Sequence, residues 1–402
     1  MQFSITFHTL LASMVVAVSV SPRINAAPTG HAADLTTLLA RDNIARASNA
    51  ALPNVPAPAP APIRLPLTPI LNENKVEEAF TAAIHIGGNP RPFNVIMDTG
   101  SHELWAISEK STEIAGRNAI GAISSKATFK ELAGTFGVDF DDGSDVEGKQ
   151  VTDDLNIGGK ILKAFKFGAA TKIGDSLDPK SDGIWGFSKS IGSAVNGPTP
   201  LEALAAAKII PAAMSGWKIG RASEGTASEV VLGGVNPALF DSASTVVVSN
   251  VDVSTPDDKD GWWRVPVTAF AVGATNTPLA KGPRIATLDT GTEGLIFPRA
   301  DTALIRAQIP GSRELKDGTN QIPCNNQKNL VVTIGNKPWN ILAKDLITAP
   351  VNDKKTPGLC FASFVADEDP DFDEWVLGIP FLKNVYHALD VTNDRISISK
   401  LK

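Results

Sequence analysis

Short runs of alternating apolar and polar residues dominate the chain, bounded by Gly, Asp, Asn and Pro. Residues 160–167 and 330–334 are examples, with Ile161, Phe165 and Phe167 in the first and Leu330, Val332 and Ile334 in the second. This period-two pattern predicts an all-β protein. Helical spacing is found at 38–46 ahead of the body and, within the body, only at 201–208 and 299–308, the last of which must stop before Pro310, which cannot continue a helix. Strands at 229–232, at 245–248 and at the C-terminus are expected to form a sheet under two lobes, with the lobe boundary near 242–253. A substrate would then lie between the lobes, where domain-interface sites concentrate.

One pattern occurs twice. Asn94-Val95-Ile96-Met97 runs into Asp98-Thr99-Gly100-Ser101, and Ile285-Ala286-Thr287-Leu288 runs into Asp289-Thr290-Gly291-Thr292. Each copy is followed by a second apolar stretch, Leu104-Trp105-Ala106-Ile107 or Leu295-Ile296-Phe297-Pro298. The copies are 191 residues apart, about one domain. A single Asp-Thr-Gly is a common turn tripeptide. Two copies, each after an apolar strand at domain spacing, read as an internal duplication that supplies one carboxylate from each half. Two carboxylates at one site cannot both ionise cheaply, so one keeps its proton. That combination provides a general base and a general acid together. In this reading Asp98 and Asp289 are the catalytic pair. Gly100 and Gly291 allow the sharp turn. Ser101 and Thr292 orient the carboxylates, and Thr99 and Thr290 tie the two loops to each other.

With these motifs in place, the chain resembles the pepsin-type aspartic proteases from about Leu65 to its end. Leu65-Pro66-Leu67-Thr68 resembles the start of a mature enzyme, and 80–87 resembles its first strand. Phe140-Asp141-Asp142-Gly143-Ser144 resembles the flap hairpin. Asp182-Gly183-Ile184-Trp185-Gly186-Phe187 and Val376-Leu377-Gly378-Ile379-Pro380-Phe381 resemble the segments behind the two aspartates. The resemblance implies a bilobal double β-barrel with a shared interlobe sheet, a monomer, and peptide-bond hydrolysis in acid without metal or cofactor. It divides the chain into a signal peptide (1–26), an activation segment (27–64), an N-terminal lobe (65–245) and a C-terminal lobe (246–402). It also implies that Phe140, Asp142, Gly143 and Ser144 cover the substrate near Trp105. Phe140 stands where the family carries a tyrosine, so the ring could still wall the first specificity pocket without its hydroxyl. The only tyrosine, Tyr386, is far away in sequence. Glu293 follows Thr292 where a small hydroxyl residue is frequent. It is read either as a cleft residue that alters specificity or pH optimum, or as a solvated surface glutamate. Ile379, in place of a frequent Asp, is given a packing role.

Composition and ends refine this picture. The 402 residues are 43% hydrophobic and carry a net charge of −6. The first 64 residues hold four of the basic and two of the acidic residues, which leaves −8 for the rest. An acidic body argues against nucleic acid as a partner. The apolar stretch 10–18 before Asn25-Ala26-Ala27 reads as a secretory signal, too short for a membrane span. Export outside the cell is expected, or delivery to a vacuole. In such a chain the only two cysteines, Cys324 and Cys360, read as one disulfide. It would close a loop of about 37 residues, worth about 4 kcal/mol in the chain-entropy picture. The Pro-Ala stretch 53–62 should be extended polyproline II. It is read as part of an activation segment whose Arg41, Arg46 or Arg64 could pair with the aspartates, or as a plain linker.

Other chemistries find little support. Residues 143–149 have phosphate-loop spacing, but Gln150 stands where a magnesium-binding hydroxyl belongs. There is no Gly-x-Ser-x-Gly elbow, and the five histidines lack metal spacing. His102-Glu103 lacks the second histidine of a zinc-protease helix. Two further classes stay open beside the endopeptidase: a catalytically weak or inactive binding protein on the same scaffold, and a structural wall protein.

Overall fold

The computed structural model describes residues 60–402, apart from 115, 141–144, 175–176, 254–260, 278, 280–281, 354 and 368–372. The expected signal peptide and nearly all of the expected activation segment lie outside the described residues. So do Asp142, Gly143 and Ser144.

The described chain is a bilobal all-β structure built on two large sheets, of 13 and 11 strands. One end of the larger sheet is the layer shared by both lobes. Its strands run in the order Phe240–Ser249, Arg395–Leu401, Val385–Asp390, Met214–Lys218, Ser228–Leu232 and Ile63–Leu71. The C-terminal strands thus pair directly with strands from the middle of the chain. The first strand, Ile63–Leu71, alternates buried and exposed residues over most of its length, as a half-covered strand should. It pairs with Ser228–Leu232 on one side and leads into Glu77–Ile86 on the other. Arg64 lies in this strand, and its guanidinium meets Glu229 at 2.8 Å. It is therefore engaged by the sheet and does not pair with the aspartates.

Around each Asp-Thr-Gly the strands repeat. Phe93–Asp98 pairs parallel with Gly183–Gly186, which pairs antiparallel with Leu104–Ile107. In the other half Arg284–Leu288 pairs parallel with Trp375–Leu377, which pairs antiparallel with Leu295–Phe297. The outer neighbours are parallel too, Lys160–Lys172 in one lobe and Leu359–Ala366 in the other. Strands covered on both faces are apolar throughout, and Leu104–Ile107, Gly183–Gly186, Leu295–Phe297 and Trp375–Leu377 are buried along their whole length.

Helices are short and few. Pro200–Ala206 begins with Thr199, whose hydroxyl accepts from the Glu202 amide, while the Glu202 carboxylate accepts from the Thr199 amide. This reciprocal cap, with Pro200 in the first turn, fixes the helix start. The other oxygen of Glu202 accepts from the Ser190 amide, so the cap also holds the loop behind Asp98. Arg299–Ala307 is the second helix. A third, Ile379–Leu382, was not foreseen, because four residues show no periodicity. Ile379 is fully buried at its start and fills a packing position.

One core cluster runs through both lobes and the shared sheet, from Phe80 and Trp185 through Trp217 to Trp263, Trp375 and Phe381. A second, confined to the N-terminal lobe, holds Trp105, Phe136, Val138 and Phe140. Cys324 and Cys360 form the disulfide, with Cα atoms 5.0 Å apart.

Candidate active site

The apolar strands Phe93–Asp98 and Arg284–Leu288 end at the two aspartates, which are 1% and 2% exposed. Each carboxylate is first held by its own loop. The Gly100 amide donates to Asp98 Oδ1 at 2.8 Å, and the Gly291 amide donates to Asp289 Oδ1 at 2.8 Å. The loops then interlock. The Thr99 amide donates to Thr290 Oγ1 at 3.0 Å, and the Thr290 amide donates to Thr99 Oγ1 at 2.9 Å. Each threonine hydroxyl donates onward across the interface, Thr99 to the Leu288 carbonyl at 2.8 Å and Thr290 to the Met97 carbonyl at 2.6 Å. Every polar atom of both threonine side chains is used, which suits groups with no access to water.

The approach is close enough to require glycine. A Cβ on Gly100 would stand 2.6 Å from the Asp289 carboxyl carbon, and one on Gly291 would stand 2.4 Å from Asp98 Oδ1. The carboxylates are also near enough to share a proton through a mutual hydrogen bond. Burial raises the pKa of both. Asp289 carries the larger rise, because the Asp98 charge adds to its desolvation. Asp98 is held lower by Ser101 and by the hydrogen bond from Asp289. The pair titrates as a unit raised by burial, and one proton can be held between the two carboxylates.

The hydroxyls that follow are not equivalent. Thr292 donates to Asp289 Oδ2 at 2.5 Å. Ser101 lies close enough to Asp98 to stabilise its charge, yet neither the Ser101 hydroxyl nor Asp98 Oδ2 completes a hydrogen bond.

The hairpin strands Lys130–Asp139 and Asp145–Ile157 pair up to Asp139 opposite Asp145. Residues 145–149 are therefore hairpin strand, not a phosphate loop. Phe140 is 4% exposed and packs in the same apolar cluster as Trp105. A phenyl ring has no polar group to keep it at water, and it is buried with this cluster at the end of the first hairpin strand. Glu293 is half-buried, not a freely solvated surface residue. Burial first, and the Glu78 carboxylate second, push its pKa up to about 8. Tyr386 lies in the shared sheet, and its hydroxyl accepts from the Asn236 amide at 2.8 Å.

Several supporting residues had no distinct signature in the sequence. Ser188 donates to the Thr99 carbonyl at 2.8 Å. Glu103 is buried behind the Asp98 loop, and it accepts a hydrogen bond from the Ala194 amide. Desolvation pushes its pKa up to about 7. His102 is buried beside it, with Nδ1 2.9 Å from the Lys189 carbonyl oxygen. A His-Glu pair in a buried run was the one available signal, and it is read more naturally as two inward-facing contacts than as a metal motif.

The eukaryotic aspartyl protease family profile matches residues 79–401, which is most of the chain and includes both Asp-Thr-Gly loops. The chain belongs to the eukaryotic aspartyl protease family. Its similarity to individual members is moderate. It is 28% identical over 352 residues to the probable aspartic-type endopeptidase CTSD of Trichophyton verrucosum, covering 87% of this chain and 66% of that protein. It is 26% identical over 339 residues to the aspartic-type endopeptidase ctsD of Aspergillus fumigatus, covering 83% and 68%. With rhizopuspepsin of Rhizopus chinensis it shares 29% over 317 residues, covering 78% and 75%. The chain thus spans about two thirds of the length of the two CTSD relatives. Peptides are the substrate class that this family implies.

Proposed function

We propose that this protein is an aspartic endopeptidase that hydrolyses peptide bonds in acid, with Asp98 and Asp289 as its catalytic groups. The observation that carries the reading is the buried pair itself, one carboxylate from each half, held by interlocked threonines and sharing a proton. Ionised Asp98 takes a proton from a water molecule as its oxygen attacks the carbonyl carbon. Asp289 gives its proton to the carbonyl oxygen, and a tetrahedral diol results. Collapse of the diol transfers a proton to the nitrogen and breaks the C–N bond, and the pair again holds one proton. Activity should fall once the pH is high enough to remove the shared proton. The names of the fungal relatives support endopeptidase chemistry. The N-terminal apolar stretch supports export, to the exterior or to a vacuole. Among the described residues no helix is long and apolar enough to cross a membrane.

The test compares wild type, Asp98→Asn and Asp289→Asn on denatured casein in acid. Asn keeps the shape but cannot exchange the proton, so each variant should lose at least about a thousandfold in rate, within the range of general acid–base catalysis. Comparable rates in all three would remove the dyad mechanism. A pepstatin-type inhibitor, with a hydroxyl at the reacting carbon, should also block the wild type.

A further inference from the structure

The threonine lattice is not the only connection between the two aspartate loops. The Phe187 amide donates to the Asp98 carbonyl at 2.7 Å. The Phe187 carbonyl accepts from Trp263 Nε1 at 2.8 Å. The Trp263 carbonyl accepts from the Leu288 amide at 2.9 Å, and Leu288 immediately precedes Asp289. The Leu288 carbonyl accepts from Thr99 Oγ1 at 2.8 Å, and Thr99 immediately follows Asp98. The four links close a ring that passes through both lobes and returns to its starting residue. We propose that the Trp263 indole is a positioning residue that completes this ring and sets the spacing of the two catalytic loops.

Three observations make this more than a packing contact. Trp263 is fully buried, so it cannot touch substrate and can act only through the loops. Its indole N–H is the only link in the ring that a substitution can remove without altering the backbone or Thr99. Among the described residues the ring has no counterpart on the other side. The Ile379 amide, at the place matching Phe187, donates to the Thr292 carbonyl at 2.9 Å and not to Asp289. The Asp98 loop is therefore braced from the C-terminal lobe, and the Leu288 peptide is anchored at both ends, by Trp263 on its N–H and by Thr99 on its carbonyl. Loss of the indole donor leaves the buried Phe187 carbonyl without that partner and frees one side of the ring. Misplacement of reacting groups by about 1 Å can cost a hundredfold in rate.

The proposal rests on the endopeptidase reading for its activity assay, and the test carries one readout independent of activity. The variants are Trp263→Phe and a full-length protein with 3-benzothienylalanine at position 263, which keeps the bicyclic shape and lacks the N–H. The control is Trp339→Phe, which removes a comparable buried indole donor (3.2 Å to the Ile334 carbonyl) away from the dyad. Both changes at 263 should lower kcat by about tenfold to a hundredfold. KM should move by less than about threefold, because no substrate contact is lost. The control should keep the wild-type kcat. Hydrogen exchange at the Phe187 and Leu288 amides should quicken by at least about tenfold in the 263 variants, as local opening becomes easier. If Trp263→Phe does not fold, the benzothienyl protein decides. Wild-type kcat and wild-type exchange in that protein would overturn the proposal, as would an equal loss in Trp339→Phe. If the wild type cleaves no peptide, the endopeptidase reading fails, and the exchange rates alone decide whether the ring exists.

Discussion

The two Asp-Thr-Gly loops share a backbone plan and differ in what surrounds it. Strand order, parallel and antiparallel pairings and glycine-to-carboxylate bonds repeat in both halves. The differences begin one atom further out. Thr292 bonds the outer oxygen of Asp289, whereas the outer oxygen of Asp98 has no hydrogen bond. After the loop, the first half turns His102 and Glu103 inward, and the second half places Glu293 half-buried toward Glu78 of the other lobe. Duplication of a scaffold therefore supplies symmetric geometry, while individual side chains give the two carboxylates different surroundings.

Short of removing an aspartate, the largest expected effect tests the symmetric part. Gly100→Ala and Gly291→Ala each place a methyl against the opposite carboxylate. Either should cost about a hundredfold or more in kcat/KM while circular dichroism stays native, because reacting groups misplaced by about 1 Å lose that much. Full activity in one variant alone would break the symmetry. Full activity in both would mean that the loops do not approach as described.

The next effect tests the asymmetric part. Thr292→Val removes a hydrogen bond to a carboxylate and should lower kcat/KM by about tenfold to a hundredfold, from roughly 1.5–3 kcal/mol. It should also move the alkaline limb of the pH profile upward, since Thr292 holds the Asp289 pKa down. Ser101→Ala should cost only a few-fold, because no hydrogen bond is completed there. Its shift belongs on the acid limb, which should move to higher pH as Asp98 loses a stabilising neighbour. Equal losses in the two variants would contradict the difference between the halves.

The third effect concerns stability. The Glu103 carboxyl is raised from 4.5 to about 7 in the folded protein. The native state therefore binds more protons than the unfolded state across that window. Stability is fully present below 4.5 and falls as the pH rises through about 7, by roughly 3 kcal/mol in all at about 1.4 kcal/mol per unit. Glu103→Gln keeps an acceptor for the Ala194 amide and removes the ionisation. Urea midpoints should then be similar in acid and higher than wild type at neutral pH. A neutral midpoint equal to wild type would show that the buried carboxyl does not set this loss.

The smallest effect comes from Glu293, which stands in the second half where His102 stands in the first. Glu293 is raised to about 8, so its contribution has the same sign: present below 4.5 and lost as the pH rises through about 8. Because Glu293 is only half-buried, solvent screens much of that contribution. Glu293→Gln should flatten the decline less than Glu103→Gln does, and the ranking of the two urea series checks it. A larger effect from Glu293 would mean that the cleft between Glu293 and Glu78 is drier than its exposure indicates.

Local pattern and motif were enough to read the all-β class, the duplicated aspartate loops, the disulfide and the two longer helices. Alternation reports which face of a strand is covered, a repeated tripeptide reports a repeated turn, and two lone cysteines have only each other. Residues far apart in sequence decided the rest. Thr99 and Thr290 could be named from their motifs, but the bonds between them exist only because two lobes meet. Phe140 could be placed on the hairpin, yet its closure into the Trp105 cluster depends on neighbours from several strands. Glu103 looks like any acidic residue until burial removes its water and raises its pKa. Trp263 carries no motif at all. Its role arises because one indole N–H from the second lobe reaches a carbonyl of the first, 76 residues earlier in the chain. Such a contact is set by packing of the whole molecule, since desolvation and long-range hydrogen bonding depend on what surrounds a group and not on its sequence neighbours.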